Sequence, residues 1–331
     1  MGYSNWSDAA YQGRQSYRRR TQQTAFTYDQ QVRASGVVQA HDQMNPFGKR
    51  RESRDSDQHP DSLAIAVIFD VTGSMGSVPR VLQTKLGKLM HTLIQRGYVA
   101  HPQILFGAVG DANCDKVPLQ IGQFESGLEM DDDLGKIYLE GGGGGQVHET
   151  YELALYFCAR HTAIDCYDKR GRKGYLFTIG DEKPYPAVRR SQVKQLMGDL
   201  LPLRISTAAL VTEVQKRYEY FHIIPTNTAH GGSAEVQDHW RALLGERVLL
   251  LEDEAAVCET IALAIGLCEG VVGDLNVGAD DLRNAGYDPL ATAAATVALA
   301  PYAVTRPPSA LVVSGVLPAA REYAPGDGRL F

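Results

Sequence analysis

One carboxylate and two hydroxyls alternate in the stretch Asp70-Val71-Thr72-Gly73-Ser74-Met75. Oxygen ligands carrying a single negative charge suit a hard divalent cation, Mg²⁺ first, with Mn²⁺ or Ca²⁺ as substitutes. The plainer reading of the same residues is a strand-to-helix turn in which Ser74 or Ser77 caps the helix and Asp70 helps. The elements around the aspartate decide between the two.

The run Leu63-Ala64-Ile65-Ala66-Val67-Ile68-Phe69 has the length and β-branched content of a strand buried on both faces. It stops at Asp70. Gly73 and Gly76 let the chain turn, and a helical pattern then places Val81, Leu82, Leu86, Leu89, Met90, Leu93 and Ile94 on one face. A carboxylate at the carboxyl end of a central strand stands where open α/β sheets place their ligands. Further strand-like segments at residues 103–109, 119–124, 174–179, 220–225 and 247–251 alternate with helical patterns at 126–139, 148–161, 188–200, 207–218, 233–244 and 254–268. This order predicts an α/β fold: a doubly wound, mainly parallel six-stranded sheet with helices on both faces and right-handed crossovers. Residues 119–124 follow their neighbour too closely for a crossover helix, which predicts one short antiparallel edge strand.

On these residues the chain resembles von Willebrand factor type A domains. Asp70, Thr72 and Ser74 match the Asp-x-Ser/Thr-x-Ser loop of their metal-ion-dependent adhesion site, and the order of elements over residues 63–270 is similar to their Rossmann-like fold. The resemblance implies two further loops at the same sheet edge. In Thr178-Ile179-Gly180-Asp181-Glu182, Asp181 takes the place of the aspartate that faces the ion, often through water, and Glu182 stands where glycine is commoner. After the glycine tract 141–145, Gln146 takes the place of a threonine or aspartate ligand, and Glu149 matches the glutamate of the Gly-Gly-Asp-x-Pro-Glu variants. An amide is a weaker Mg²⁺ ligand than a carboxylate, so fewer protein oxygens are expected on the ion. The expected metal set is Asp70, Thr72, Ser74 and Asp181, with Asp111, Gln146, His148 and Thr150 as candidates for the rim or for substitute ligands.

A site with so many neutral ligands stays electrophilic and keeps a position open. The resemblance implies that an Asp or Glu side chain of a protein partner fills it, which makes the chain a metal-dependent protein-protein interaction module and not an enzyme. Cytoplasmic bacterial members of such families act beside AAA+ ATPases or within kinase-phosphatase systems, so partners of that kind are implied by analogy. The alternative is a haloacid-dehalogenase-like, Mg²⁺-dependent phosphohydrolase with Asp70 as nucleophile, because the first loop is close to Asp-x-Asp-Gly-Thr and Gly180-Asp181 mimics that group's metal-binding pair. There a second aspartate protonates the leaving group. Thr72 occupies its position, and a threonine hydroxyl is no general acid near neutral pH.

Other chemistry finds less support. No GxxxxGK[ST] loop, HExxH or Cys/His metal spacing occurs, the glycine tract fails GxGxxG at Gln146, and the first loop misses the nucleophile elbow by its leading glycine. His222 and His239 read as packing residues; His148 and His230 lie in loops that reach the sheet's carboxyl edge. A net charge of −6 argues against a dedicated nucleic-acid binder. Five cysteines without a CxxC pair read as free thiols, with Cys158, Cys258 and Cys268 in apolar helical patterns. The first residues lack the apolar core of a signal peptide, and no uncharged apolar run reaches membrane-spanning length, so a cytoplasmic protein is expected.

Composition divides the 331 residues into three. Residues 1–62 are polar, with little hydrophobic periodicity, and are expected to form a mobile arm whose run Arg18-Arg19-Arg20 is solvated. Residues 63–270 form the sheet domain. Residues 271–331 turn Ala-, Pro- and Gly-rich and are expected to form a tail, although alanine-rich residues 290–299 have the composition of one more helix.

Overall fold

The computed structural model describes residues 2–142 and 147–305, the side chain of Ser74 excepted. The apolar run forms strand β1 (Leu63–Asp70), whose eight residues are all buried, as a strand covered on both faces requires. Each large aliphatic side chain buried in this way contributes about 1.5–3 kcal/mol relative to exposure. Five further strands complete the sheet: β2 (Pro102–Val109), β3 (Leu119–Ile121), β4 (Gly174–Ile179), β5 (Tyr218–Pro225) and β6 (Val248–Leu251).

The strand order is β6-β5-β4-β1-β2-β3, with every neighbouring pair parallel except β2 and β3. The architecture is therefore α/β, with a six-stranded, mostly parallel sheet and one antiparallel edge. Strand order reverses at β1, which pairs with β2 on one side and with β4 on the other. In such sheets the crevice at the reversal, beyond the carboxyl ends of the two strands, is where ligands sit.

The helices form layers over the sheet. Before β1 come α1 (Asp8–Thr21) and α2 (Thr27–Ser35); α3 (Val78–Gln95) follows β1, and α4 (Glu129–Gly135) follows β3. Between β3 and β6 lie α5 (Tyr151–Arg160), α6 (Arg190–Met197), α7 (Thr207–Arg217) and α8 (Ala234–Leu244). The chain closes with α9 (Val257–Cys268), α10 (Leu275–Asn284) and α11 (Pro289–Thr305). One layer joins α9 to α3, α10 and α11, while α5 and α7 pack together in another.

Two expectations about the chain ends need correction. The arm at residues 1–62 is folded onto the body. The Tyr11 ring is buried against Gly87 of α3, where an added Cβ would come within 2.7 Å of the ring. Arg18, expected in solvent, makes a two-pronged ion pair with buried Asp131 at 2.8 and 2.7 Å. Residues Arg51–Ser53 pair in parallel with Thr162–Ile164. Anchors as sparse as Tyr11, Phe26, Val32 and Met44 leave no periodicity in the sequence, yet each is almost fully buried. Likewise α10 and α11 replace the first part of the expected tail, with Ala291, Ala295, Ala298 and Leu299 buried. Alanine hides an apolar face because its side chain is small, while its helix propensity is the highest. Residues 306–331 lie outside the described residues.

None of the five cysteines, all among the described residues, forms a disulfide, and Cys158, Cys166 and Cys258 are buried. Among the described residues no helix is long and apolar enough to cross a membrane.

Candidate functional site

The site is built where β1 and β4 end side by side. Phe69 is in register with Ile179, so Asp70 emerges next to Gly180 and the acids after it. A Cβ on Gly180 would overlap the Tyr151 phenol oxygen and come within 3.0 Å of the Asp70 Cβ, so only glycine lets the two strand ends approach this closely. The first loop then folds back on its own aspartate: the Thr72 amide and the Thr72 hydroxyl both donate to Asp70 Oδ1 at 2.7 Å. Ser77, the candidate helix cap, makes no side-chain capping bond to α3.

A third segment arrives from the far side. His148–Glu149 pairs in parallel with Lys183–Pro184, and the Lys183 amide donates to the Val147 carbonyl at 3.1 Å. This short pairing brings Glu149 against Glu182. Trp240 on α8 holds the neighbouring backbone by donating its indole N–H to the Glu182 carbonyl at 2.8 Å. One carboxylate oxygen from each of Asp70, Glu149 and Glu182 then lies within 4.8 Å of the other two.

All three carboxyls are buried, and each keeps one oxygen without a hydrogen-bond partner among the described residues: Asp70 Oδ2, Glu149 Oε2 and Glu182 Oε2. The buried Tyr151 hydroxyl beside them is also unpartnered. Among the described residues no lysine or arginine pairs with the three acids; the nearest basic nitrogen is His230 Nε2, 3.9 Å from Glu182. Burial raises the pKa of Asp70, and the fields of Glu182 and Asp181 add to it. Burial likewise raises Glu149, helped by Asp70 and Glu182, and raises Glu182 itself. Desolvation and the same acids push the Tyr151 phenol up as well. Ionising this cluster without a counter-charge is costly, because like charges in a dry site repel strongly.

The expected residues are distributed unevenly about this centre. Asp70 and Thr72 sit in it. Asp181 is buried at its edge, where Oδ2 accepts the His230 amide at 2.9 Å. The Ser74 side chain and Gln146 lie outside what is described. The Thr150 hydroxyl donates to the Gly110 carbonyl, which commits it to the turn after β2. Asp111 organises that turn through Asn113 and accepts the Tyr185 hydroxyl at 2.9 Å. His148 stacks on Tyr185 at 5.1 Å, and burial lowers its pKa. His222 is a packing residue, stacked on Trp240 at 3.6 Å.

Two acids absent from the expected metal set, Glu149 and Glu182, complete the triad. The signal for Glu182 was its place beside Asp181 at the end of a buried strand. Glu149 carried its match to the glutamate of the Gly-Gly-Asp-x-Pro-Glu variants, just ahead of α5. Over the first loop, Gly141 and Gly142 run alongside, with the Gly141 amide bonded to the Val71 carbonyl at 3.2 Å and the Gly73 amide to the Gly142 carbonyl at 3.0 Å.

No family model matches the sequence, and no curated protein matches it. Among solved structures, the pilus adhesin SpaC from Lactobacillus rhamnosus GG in its open conformation aligns with a TM-score of 0.40 and 10% identity over 72% of this chain and 31% of that one. Proximal thread matrix protein 1 from the mussel byssus aligns with a TM-score of 0.38 and 10% identity over 62% of this chain and 48% of that one. The chain thus spans less than half the length of either structure, and similarity at this level carries no argument about function.

Proposed function

We propose that Asp70, Glu149 and Glu182, with the Thr72 hydroxyl beside them, hold a divalent cation, and that the loaded loops form a metal-dependent binding surface for a protein partner. The observation that carries this reading is the buried triad itself, three carboxyls with a free oxygen each and no lysine or arginine partner among the described residues, His230 Nε2 standing 3.9 Å from Glu182. A hard divalent ion supplies the missing counter-charge, and oxygen ligands suit Mg²⁺, Mn²⁺ or Ca²⁺. Asp181, as a second layer around Asp70, matches a water-mediated role.

Three ionised carboxylates would exceed the charge of one such ion. A proton shared between Glu149 and Glu182 leaves two negative charges facing two positive ones, and a neutral centre of few protein oxygens can still accept an outside carboxylate. This is the route by which an Asp or Glu of a partner, of the AAA+ ATPase or kinase-phosphatase type implied by the first-loop resemblance, would engage.

The phosphohydrolase reading is favoured by one feature, the unpartnered Asp70 Oδ2 beside two further acids. It lacks the second acid of that group's first loop, because Thr72 stands in its place and gives its hydroxyl proton to Asp70 Oδ1. Titration calorimetry with Mn²⁺ and Mg²⁺ tests the proposal: the wild-type chain should bind one ion and Asp70→Ala none. Equal heats from both proteins would reject it. Release of phosphate from p-nitrophenyl phosphate that vanishes in Asp70→Asn would favour the hydrolase instead.

A further inference from the structure

We propose that a cleft beside α6, remote in chemistry from the acidic triad, docks an acidic peptide segment of a partner protein that also carries an apolar side chain. The cleft encloses about 650 Å³, and Arg189, Arg190, Lys194 and Arg204 line it. Arg190, Lys194 and Arg204 are exposed and have no ion-pair or side-chain hydrogen-bond partner among the described residues. Arg189 is positioned without being neutralised: it donates to Asn113 Oδ1 at 2.8 Å and lies over the Tyr185 ring at 5.7 Å.

The acid in the cleft, Asp199, is already engaged by the Tyr156 hydroxyl and by His161 Nε2, each at 2.6 Å. Four cations are therefore gathered around one committed carboxylate, in a chain whose net charge is −6. Their mutual repulsion is relieved by an anionic ligand, and the concave wall sets its path. Leu200 in the cleft and Leu203 just beyond it are 79% and 75% exposed, an apolar edge that an acidic segment with a leucine-like residue would cover. Nucleic acid fits less well. Single strands are held largely by base stacking, and no aromatic ring lines the cleft to stack a base.

The test uses the full chain and a short fluorescein-labelled synthetic peptide of glutamates flanking two leucines, followed by fluorescence anisotropy in EDTA. EDTA removes any contribution from a metal-bound carboxylate, so failure here and failure of the metal reading are separate results. Binding should weaken with salt, be absent for the glutamine version of the peptide, and fall about tenfold or more in the triple variant Arg190→Glu, Lys194→Glu, Arg204→Glu. Leu200→Ser with Leu203→Ser should weaken the leucine peptide and leave a leucine-free glutamate peptide unchanged. Unchanged affinity in the triple variant would overturn the proposal, as would equal binding of oligothymidylate or of phosphatidylserine vesicles. Should the triple variant fail to fold, the comparison of glutamate and glutamine peptides on the wild-type chain decides the matter, since equal binding of both would sink it.

Discussion

Glu149 lies against Glu182 because the two-residue parallel pairing of His148–Glu149 with Lys183–Pro184 ties the segment before α5 to the loop after β4. Neither glutamate is placed by the regular sheet. Their approach sets two acids side by side in a buried pocket and leaves an oxygen of each unpartnered. Two carboxyls held this close in a dry pocket favour a state in which they share one proton, so the pair carries one negative charge and not two.

Removing one member of the pair tests its part in ion binding. Glu182→Gln keeps the shape and the backbone bond from Trp240 while deleting a charge, and Mn²⁺ affinity should fall about tenfold or more, that is by about 1.4 kcal/mol or more. Titration calorimetry reads this directly. Affinity equal to wild type would take Glu182 out of the ligand set.

Thr72→Val isolates the hydroxyl. The amide bond to Asp70 Oδ1 survives, the 2.7 Å bond from the Thr72 hydroxyl does not, and a buried acceptor loses a donor. The cost to the ion-free fold should be about 1–3 kcal/mol, measured by urea unfolding in EDTA. Metal-loaded protein should show the same or a larger loss, because the ion then loses an oxygen neighbour as well.

The amino-terminal helix is part of the folding unit. Tyr11→Ala empties the notch at Gly87 and should destabilise the chain by about 3–5 kcal/mol, in the range for large aromatic truncations. Trypsin should then cut at Arg14 to Arg20 faster than in wild type. Unchanged stability would mean that α1 rests on the surface without supporting the core.

Glu152 gives the pH dependence a definite sign. Burial raises its carboxyl to about 8, and the Tyr185 amide bonded to one oxygen offsets this only in part. A carboxyl whose folded pKa lies above its unfolded value favours the fold while protonated, so that contribution is present below about pH 4.5 and is lost as pH rises toward 8. Glu152→Gln retains an acceptor for the Tyr185 amide and removes the charge. Thermal melts should show the variant more stable than wild type at pH 8 and close to it at pH 4.5. The reverse order would show that the ionised form of Glu152 is the one the fold requires.

The sheet and the first loop were legible in the sequence because their signals are local. Residues 63–69 are apolar without interruption, and that alone marks a strand covered on both faces; β2, β4, β5 and β6 follow within one or two residues of where their patterns place them. Short residues 119–124 demanded an antiparallel edge by connection length, and β3 pairs that way. Asp70 and Thr72 were legible for the same reason, since two residues apart in a turn they can reach one another without help from the rest of the chain. What the tertiary structure alone decided is long-range. Tyr11 finds Gly87, Arg18 finds Asp131, and alanines of α11 cover α9, contacts that leave no period because each depends on a partner far along the chain. The triad is of this kind too: Asp70, Glu149 and Glu182 come from three separate segments of the chain, and only the register of β1 with β4 and the small pairing at Glu149 bring their oxygens within 4.8 Å.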